Sequence, residues 1–242
     1  PVSTGGLVGE NYGTIEQCYT SATISSGYGF AGGIADANKG TIRNCYSTGA
    51  ITSSTRSAGG IASTNSADKT IQNCYSTGAV TASTNTDGIY KAGGIAGNNR
   101  GSIQNCIALN ASISGSSIGR IAGANDSGTL TDNYASPTIT GTWSEDVING
   151  TALTADNFTG QTAGQGAFAN WSDDNWDFTN TANLPILKDF KGDPAQPTIV
   201  RPTIAPALIK EIKDADDLAA FRDAVNSGET YEGETVTLTN DI

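Results

Sequence analysis

The sequence predicts an all-β fold: a parallel, right-handed β-helix, or β-solenoid, of about five coils. A unit of about 27 residues recurs five times along residues 1–139. Only 15% of the residues are charged, while small and polar residues crowd the first 140 positions, which suits a narrow core. One coil cannot bury its own apolar face, but stacked coils bury a continuous column. The right hand follows from the general rule for parallel connections.

Each unit carries aliphatic residues at fixed places in three short extended stretches. The first series follows a glycine in four units and Arg120 in the fifth, and it comprises Leu7, Ile34, Ile61, Ile95 and Ile121. The second series comprises Ile15, Ile42, Ile71, Ile103 and Leu130. The third comprises Ile24, Ile51, Val80, Ile113 and Ile139. We expect these side chains to stack on neighbouring coils, about 4.8 Å apart, and to fill the lumen.

Two further series predict the corners of the coil. Glycine pairs at Gly5-Gly6, Gly32-Gly33, Gly59-Gly60 and Gly93-Gly94 permit a tight corner where a Cβ atom would collide with backbone. An asparagine lies four positions after the first aliphatic residue of every unit, and the series is Asn11, Asn38, Asn65, Asn99 and Asn125. We expect their side-chain amides to stack, each bonded to the coil above or below.

The four cysteines form another series, and in the first three units a tyrosine follows the cysteine directly. The cysteines are Cys18, Cys45, Cys74 and Cys106. They could be metal ligands, a disulfide pair or core residues. Their spacing matches no zinc pattern, and stacked Cβ atoms about 4.8 Å apart exceed the ~3.8 Å that a disulfide prefers. The sequence therefore predicts buried, reduced thiols that act as small hydrophobes.

The first unit resembles a known repeat. Gly6-Leu7-Val8-Gly9, followed by Asn11 to Ile15 and by Cys18-Tyr19, is similar to the GLUG motif, and the resemblance covers about residues 5–139. Later copies depart from it where the second glycine becomes Asp36 and Ser63. GLUG repeats occur in large bacterial surface and secreted proteins, adhesin-like proteins among them, and in immunoglobulin-A peptidases outside the catalytic domain. The resemblance thus implies an extracellular, bacterial cell-surface or secreted location.

Four segments are expected along the chain. Residues 1–139 form the solenoid, and residues 140–190, with all three tryptophans, form a capping segment over the open end of the column. Residues 191–210 read as a Pro-rich linker. Residues 211–242 read as a helix from 214 to 226 and a strand over 235–239, the start of a following module. The absence of Met and of a signal peptide favours a piece of a longer polypeptide.

Composition argues against several functions. The chain has no His, which removes His-based zinc sites and the usual Ser-His and Cys-His pairs. The net charge of −11 arises wholly in residues 140–242, and no basic stripe points to nucleic acid. No apolar run is long enough to span a membrane. The sequence predicts no cofactor, no metal and no catalytic residue.

The loops that vary between units are the best place for recognition. They cover residues 25–31, 52–58, 81–92 and 114–118, and their candidate ligand-binding residues are Tyr28, Phe30, Arg56, Ile89, Tyr90 and Lys91. Three functions stay open: an adhesin-like module that binds a host glycan or protein, a structural spacer beside further domains of the same polypeptide, and a carbohydrate-active β-helix enzyme. The sparse acids of the coils, of which only Asp36 and Asp68 come near equivalent register, favour a non-enzyme.

Overall fold

The structure is a computed structural model of the 242-residue chain. It describes residues 4–84, 90–140, 147–190, 196–202, 204, 211–212, 219, 222 and 237–238.

The described coils form a parallel β-solenoid, and the predicted fold class is confirmed. Each of the first four coils contributes five short strands in place of the three predicted, and the fifth coil contributes four, because the glycine corner and the turn before the cysteine each interrupt the chain. Like strands stack into five parallel sheets, here called sheets 1 to 5 in chain order. Sheet 1 contains Thr4–Gly5, Ala31–Gly32, Ala58–Gly59, Lys91–Gly93 and Ser117–Gly119. Sheet 2 contains Val8–Asn11, Ala35–Asn38, Ala62–Asn65, Ala96–Asn99 and Ala122–Asn125.

The remaining sheets complete each turn of the coil. Sheet 3 contains Thr14–Glu16, Thr41–Arg43, Thr70–Gln72, Ser102–Gln104 and Thr129–Thr131. Sheet 4 contains Tyr19–Thr20, Tyr46–Ser47, Tyr75–Ser76, Ile107–Ala108, Tyr134–Ala135 and Thr151–Ala152. Sheet 5 contains Ile24–Ser26, Ile51–Ser53, Val80–Thr81 and Ile113–Ser114. The strands pair in the register that the repeats predict, so that Ile51 lies between Ile24 and Val80.

The aliphatic and cysteine series fill the lumen, as predicted. The inner members of the first series, Ile34, Ile61, Ile95 and Ile121, are fully buried. Leu7 is the exception: it belongs to the first coil, where no described coil covers it, and it is 44% exposed. All four cysteines are free. Each thiol donates to the carbonyl oxygen two residues earlier, as Cys74 does to Gln72 at 3.1 Å.

The glycine pairs are sterically required. A Cβ atom at Gly33 would collide with the carbonyl oxygen of Gly60 and with the side chain of Ser47. A Cβ atom at Gly60 would collide with the carbonyl oxygen of Gly94. The backbone of each coil thus approaches the next coil too closely for any side chain at this corner, as the sequence predicts.

Trp171 and Trp176 lie along the side of the column and not over its end, which differs from the predicted placement of the tryptophans, while Trp143 lies outside the described residues. Residues 153–190, 196–202 and 204 form an aromatic flank that packs along the side of the solenoid, on the outer face of sheet 4. Because Cys45 points into the lumen, the next residue, Tyr46, points outward. The tyrosines of sheet 4 therefore form an apolar stripe on the outside, and Trp171 and Trp176 bury that stripe.

The end of the column is covered instead by a short segment after the fifth coil. A 3-10 helix, Val147–Asn149, lies against sheet 2, and the amide of Ile121 donates to the carbonyl oxygen of Ile148 at 3.0 Å. Ile148 is buried, and Thr151–Ala152 then adds a sixth strand to sheet 4.

The aromatic flank is built from short elements. An α-helix, Ala155–Phe158, begins at the capping box formed by Thr154 and Asn157, and a 3-10 helix, Gly166–Phe168, follows. Trp176–Asp177 pairs antiparallel with Ile186–Leu187, and a 3-10 helix closes this part of the flank at Lys188–Phe190.

The described part of the predicted linker is not an extended spacer. Gln196 is buried and its side-chain oxygen accepts hydrogen bonds from Tyr46 at 3.1 Å and from the amide of Leu187 at 3.0 Å. Arg201 and Ile204 are also buried in the aromatic flank. Apolar contacts and backbone pairing with residues 182–184 thus hold this proline-containing segment against the flank.

Little of the tail after residue 204 is described. Glu211–Ile212 forms a strand that pairs in parallel with Thr237–Leu238. The second strand lies within the predicted range, and residues 219 and 222 of the predicted helix are helical. The first strand was not predicted. None of the described helices is long and apolar enough to cross a membrane.

Candidate functional site

The described parts of the variable loops form one edge of the rod, here called the loop edge, between sheet 5 and sheet 1. Serine side chains hold the first two loops. The hydroxyl of Ser26 accepts from the amide of Gly29 at 3.0 Å, and the hydroxyl of Ser53 accepts from the amide of Arg56 at 2.9 Å. Ser53 also donates to the carbonyl oxygen of Gly29 at 2.7 Å, which ties the two loops together. The loop edge therefore presents its side chains from a fixed backbone.

Three of the predicted site residues, Tyr28, Phe30 and Arg56, lie on the first two loops. The guanidinium carbon of Arg56 lies 5.6 Å from the ring centroid of Phe30, a cation–π contact. Phe30 is half-buried beneath it. Tyr28, two residues earlier, is 80% exposed. An exposed aromatic ring such as that of Tyr28 suits stacking on a sugar ring or anchoring in a protein interface.

The other predicted site residues have structural partners. Tyr90 is half-buried and packs against the lumen. The ammonium group of Lys91 lies 3.1 Å from the carboxylate of Asp126, and the amide of Lys91 donates to Ser57 at 3.0 Å. Ile89 lies outside the described residues. The structure thus leaves Tyr28, Phe30 and Arg56 as the group available for recognition, and binding by this group stays a prediction.

A charged cluster around Asp126 was not predicted from the sequence. The carboxylate of Asp126 accepts from the side-chain amide of Asn98 at 2.9 Å and lies 3.8 Å from Arg100. Burial acts to raise the pKa of Asp126, but the hydrogen bonds from Asn98 and Lys91 outweigh it and hold that pKa below its usual value. The side chains of this cluster come from three parts of the sequence. Only the stacking of neighbouring coils in register brings them together.

The carboxylates of the first coils are engaged in structural contacts. Asp36 is buried and accepts from the hydroxyl of Ser63. Glu10 pairs with Lys39 at 2.8 Å, and the hydrogen bond from Lys39 lowers the pKa of Glu10. Glu16 pairs with Arg43 at 2.7 Å. Within the described residues, no cluster of three or more His, Cys, Asp or Glu side chains is arranged to hold a metal ion.

Two thiols of the cysteine series offer little nucleophilic chemistry. Burial raises the pKa of Cys74 well above its ordinary value, and the hydrogen bond with Cys45, followed by burial, raises that of Cys18. Since the thiolate is the reactive form, these two thiols are poor nucleophiles near neutral pH.

The first repeat of the chain matches a known sequence motif. A family model described as "The GLUG motif" matches residues 1–25. Residues 1–25 carry a GLUG motif. The matched residues include Leu7, Asn11, Ile15 and Cys18. Each is the first member of one of the repeated series described above. The GLUG motif is therefore one coil of the solenoid, and the predicted resemblance is confirmed at the first coil.

The fold of this GLUG-containing chain is also found in a solved structure. It is similar to a crystal structure described as "a putative immunoglobulin A1 protease from Bacteroides ovatus", with 26% sequence identity and a TM-score of 0.56. The match covers 72% of this chain and 57% of that one, so the chain spans less than two thirds of the length of its structural relative. No curated protein matches the sequence with significant similarity.

Proposed function

We propose that this chain is a non-catalytic module of a bacterial surface or secreted protein, and that its loop edge binds a host glycan or protein. One observation carries the binding role: Tyr28 is exposed two residues before Phe30, which contacts Arg56, on loops that serine hydrogen bonds hold in place. Loops whose backbone is already held in place lose little conformational entropy on binding. The GLUG motif and the likeness to the Bacteroides ovatus protein support an extracellular location.

The arrangement of acids supports a non-catalytic role for the coils. A glycosidase needs two carboxyl groups facing one groove, one of them free to give or take a proton. Asp36 is held by Ser63, while Glu10 and Glu16 are paired with cations on the surface. The chain also contains no His for a hydrolytic triad. We therefore assign no peptidase or glycosidase chemistry to these coils, whatever a longer parent protein does.

Binding at the loop edge can be tested on glycan and host-protein arrays. We expect the wild-type chain to bind a defined set of ligands, and Tyr28→Ala and Arg56→Ala to weaken that binding about tenfold or more, as truncation of an interface anchor does. Tyr12→Ala is the matched control, because Tyr12 is also a tyrosine of the first coil and is 70% exposed, but it lies at a different corner.

A second candidate, a spacer, is favoured by the continuous ladders, which make the coils a stiff rod. Failure of the wild-type chain to bind any array ligand above background would remove the adhesin role and leave the spacer. Equal losses from Tyr28→Ala and Tyr12→Ala would show that binding lies elsewhere than the loop edge.

A further inference from the structure

A groove lies at another corner of the coil, where the chain passes from sheet 2 to sheet 3. Unequal corner lengths create it. Five residues separate Asn65 from Ile71 and four separate Asn125 from Leu130, but only three separate Asn99 from Ile103 in the coil between them. The short corner of the fourth coil is therefore flanked by longer corners of the third and fifth coils. Insertions that depart from a repeat often mark its binding face.

The walls and floor of this groove are fixed by backbone contacts. The longer corners turn through residues of positive φ, Asp68 at 60° and Ser127 at 68°. The amide of Ser102 donates to the carbonyl oxygen of Lys69 at 2.7 Å, and the amide of Thr129 donates to that of Gly101 at 2.8 Å. These bonds tie each wall to the floor.

Gly101 forms part of the floor of the groove and has no side chain to raise it. A Cβ atom there would collide with the carbonyl oxygens of Lys69 and Ser66. The resulting groove has a volume of about 370 Å³, which lies at the lower end of the range for small-molecule sites.

The groove carries two cations and several hydroxyls. Lys69 and Arg100 line it, together with Ser102, Ser127 and Thr129, and Asp68 is the carboxylate of the lining. Arg100 is 56% exposed, and its one ion-pair partner in the described residues, Asp126, stands 3.8 Å away. Asp126 is already bonded more closely to Asn98 and Lys91. The guanidinium of Arg100 therefore keeps donors directed to solvent and available to a ligand.

We propose that this groove binds an acidic sugar residue of a glycan. The guanidinium of Arg100 and the ammonium of Lys69 would hold the anionic group, since a planar guanidinium matches a carboxylate or sulfate with paired hydrogen bonds. The hydroxyls of Ser102 and Thr129, and the carboxylate of Asp68, would bond to the sugar hydroxyls. The site is separate from the loop edge and does not depend on binding there.

Isothermal titration calorimetry of the full chain at low salt tests this site. The probes are a tetrasaccharide of alternating glucuronate and N-acetylglucosamine, a sulfated heparin tetrasaccharide, and neutral chitotetraose. We expect saturable binding of at least one acidic probe and none of chitotetraose. The probe that binds identifies carboxylate or sulfate as the preferred anion. Added salt should weaken binding, because exposed charges are screened.

Three variants locate the binding. We expect Lys69→Ala combined with Arg100→Ala to weaken binding of the acidic probe about tenfold or more, the scale expected when charge-assisted hydrogen bonds are lost. Arg43→Ala is the matched control, because it removes an exposed arginine of sheet 3 outside the groove. Tyr12→Ala, which removes an exposed tyrosine outside both the groove and the loop edge, should leave this binding unchanged.

The proposal is overturned if neither acidic probe binds, if chitotetraose binds as well as they do, or if the double variant binds like the wild type. An equal loss from Arg43→Ala would also overturn it, since binding would then follow net charge rather than the groove. Circular dichroism of the double variant, matching that of the wild type, ensures that a loss of binding reflects the removed side chains.

Discussion

At the scale of single residues, the asparagine ladder shows why one residue type recurs at one place. The side-chain amide of Asn38 donates to the side-chain oxygen of Asn65 at 2.8 Å, and Asn65 donates to Asn99 at 2.9 Å. Each rung also bonds to backbone, as Asn65 does to the carbonyl oxygen of Ser102 at 3.1 Å. Asp in its place would lack the donor, so the repeat needs a side chain that both donates and accepts.

Replacement of a central rung should therefore be costly. Asn65→Ala leaves the buried amide of Asn38 without its side-chain acceptor, and we expect the free energy of unfolding to fall by roughly 1–3 kcal/mol. Asn11→Ala, at the end of the ladder, is the control: no other rung donates to Asn11 among the described residues, so its loss should be smaller. Urea denaturation measures both. Equal losses would show that the ladder is not cooperative.

A second ladder of single residues was not predicted. The residue before each cysteine, or before Asn133 in the fifth coil, adopts a positive φ near 50°, and the series is Gln17, Asn44, Asn73, Asn105 and Asp132. Asn and Asp tolerate this conformation better than most residues. The recurrence of Asn and Asp at this place was therefore a visible signal for a left-handed turn.

At the scale of elements, the aromatic flank is a second apolar core on the outside of the solenoid. The rings of Tyr46 and Tyr75 are stacked, with centroids 4.8 Å apart and an angle of 4° between their planes. Trp176 packs on both, at 6.1 Å and 5.7 Å. The indole of Trp171 donates to the carbonyl oxygen of Asn105 at 2.9 Å. The flank is therefore anchored to one of the positive-φ turns as well as to the tyrosines.

The tryptophans should contribute strongly to stability. Trp176 is fully buried against the tyrosine stripe, and Trp176→Ala should lower the free energy of unfolding by about 3–5 kcal/mol, as removal of a large core ring does. Val200→Ala removes an exposed side chain of the same flank and should change it little. Thermal denaturation compares the two. A small effect of Trp176→Ala would contradict the packing of the flank on sheet 4.

Arg201 joins the end of the flank to its core without a carboxylate partner within the described residues. Its guanidinium group donates to the carbonyl oxygens of Phe158, Gln161 and Asn183. It also lies 5.1 Å from the ring centroids of Phe158 and Phe168. Burial lowers the pKa of Arg201, yet carbonyl oxygens and ring faces compensate for the lost water.

The position of the flank along the side of the solenoid was not predicted from the sequence. Three tryptophans after the last repeat indicated a cover, but nothing in their own segment states which surface they cover. The alternation of side chains within the repeat contains that information, because an inward Cys18 requires an outward Tyr19. The lumen was predictable because its residues recur, whereas the flank is a single non-repeating segment whose contacts reach 65 to 158 residues back along the chain.

At the scale of the whole molecule, the coils stack in register. Every ladder, the loop edge and the groove follow from that register, because equivalent residues of neighbouring coils come together only in a parallel stack. Sheet 3 illustrates it, since Thr14 pairs with Thr41, Thr41 with Thr70, Thr70 with Ser102, and Ser102 with Thr129. Thr14 and Thr129 are both exposed and lie four rungs apart.

Spin labels at positions 14 and 129 measure this register directly. With Cys18 replaced by Ala, so that no half-exposed native thiol competes for the label, pulsed electron spin resonance should give one narrow distance distribution. At about 4.8 Å per rung, it should centre near ~19 Å, broadened by the label tethers. A broad distribution, or one centred well beyond ~30 Å, would contradict an in-register stack.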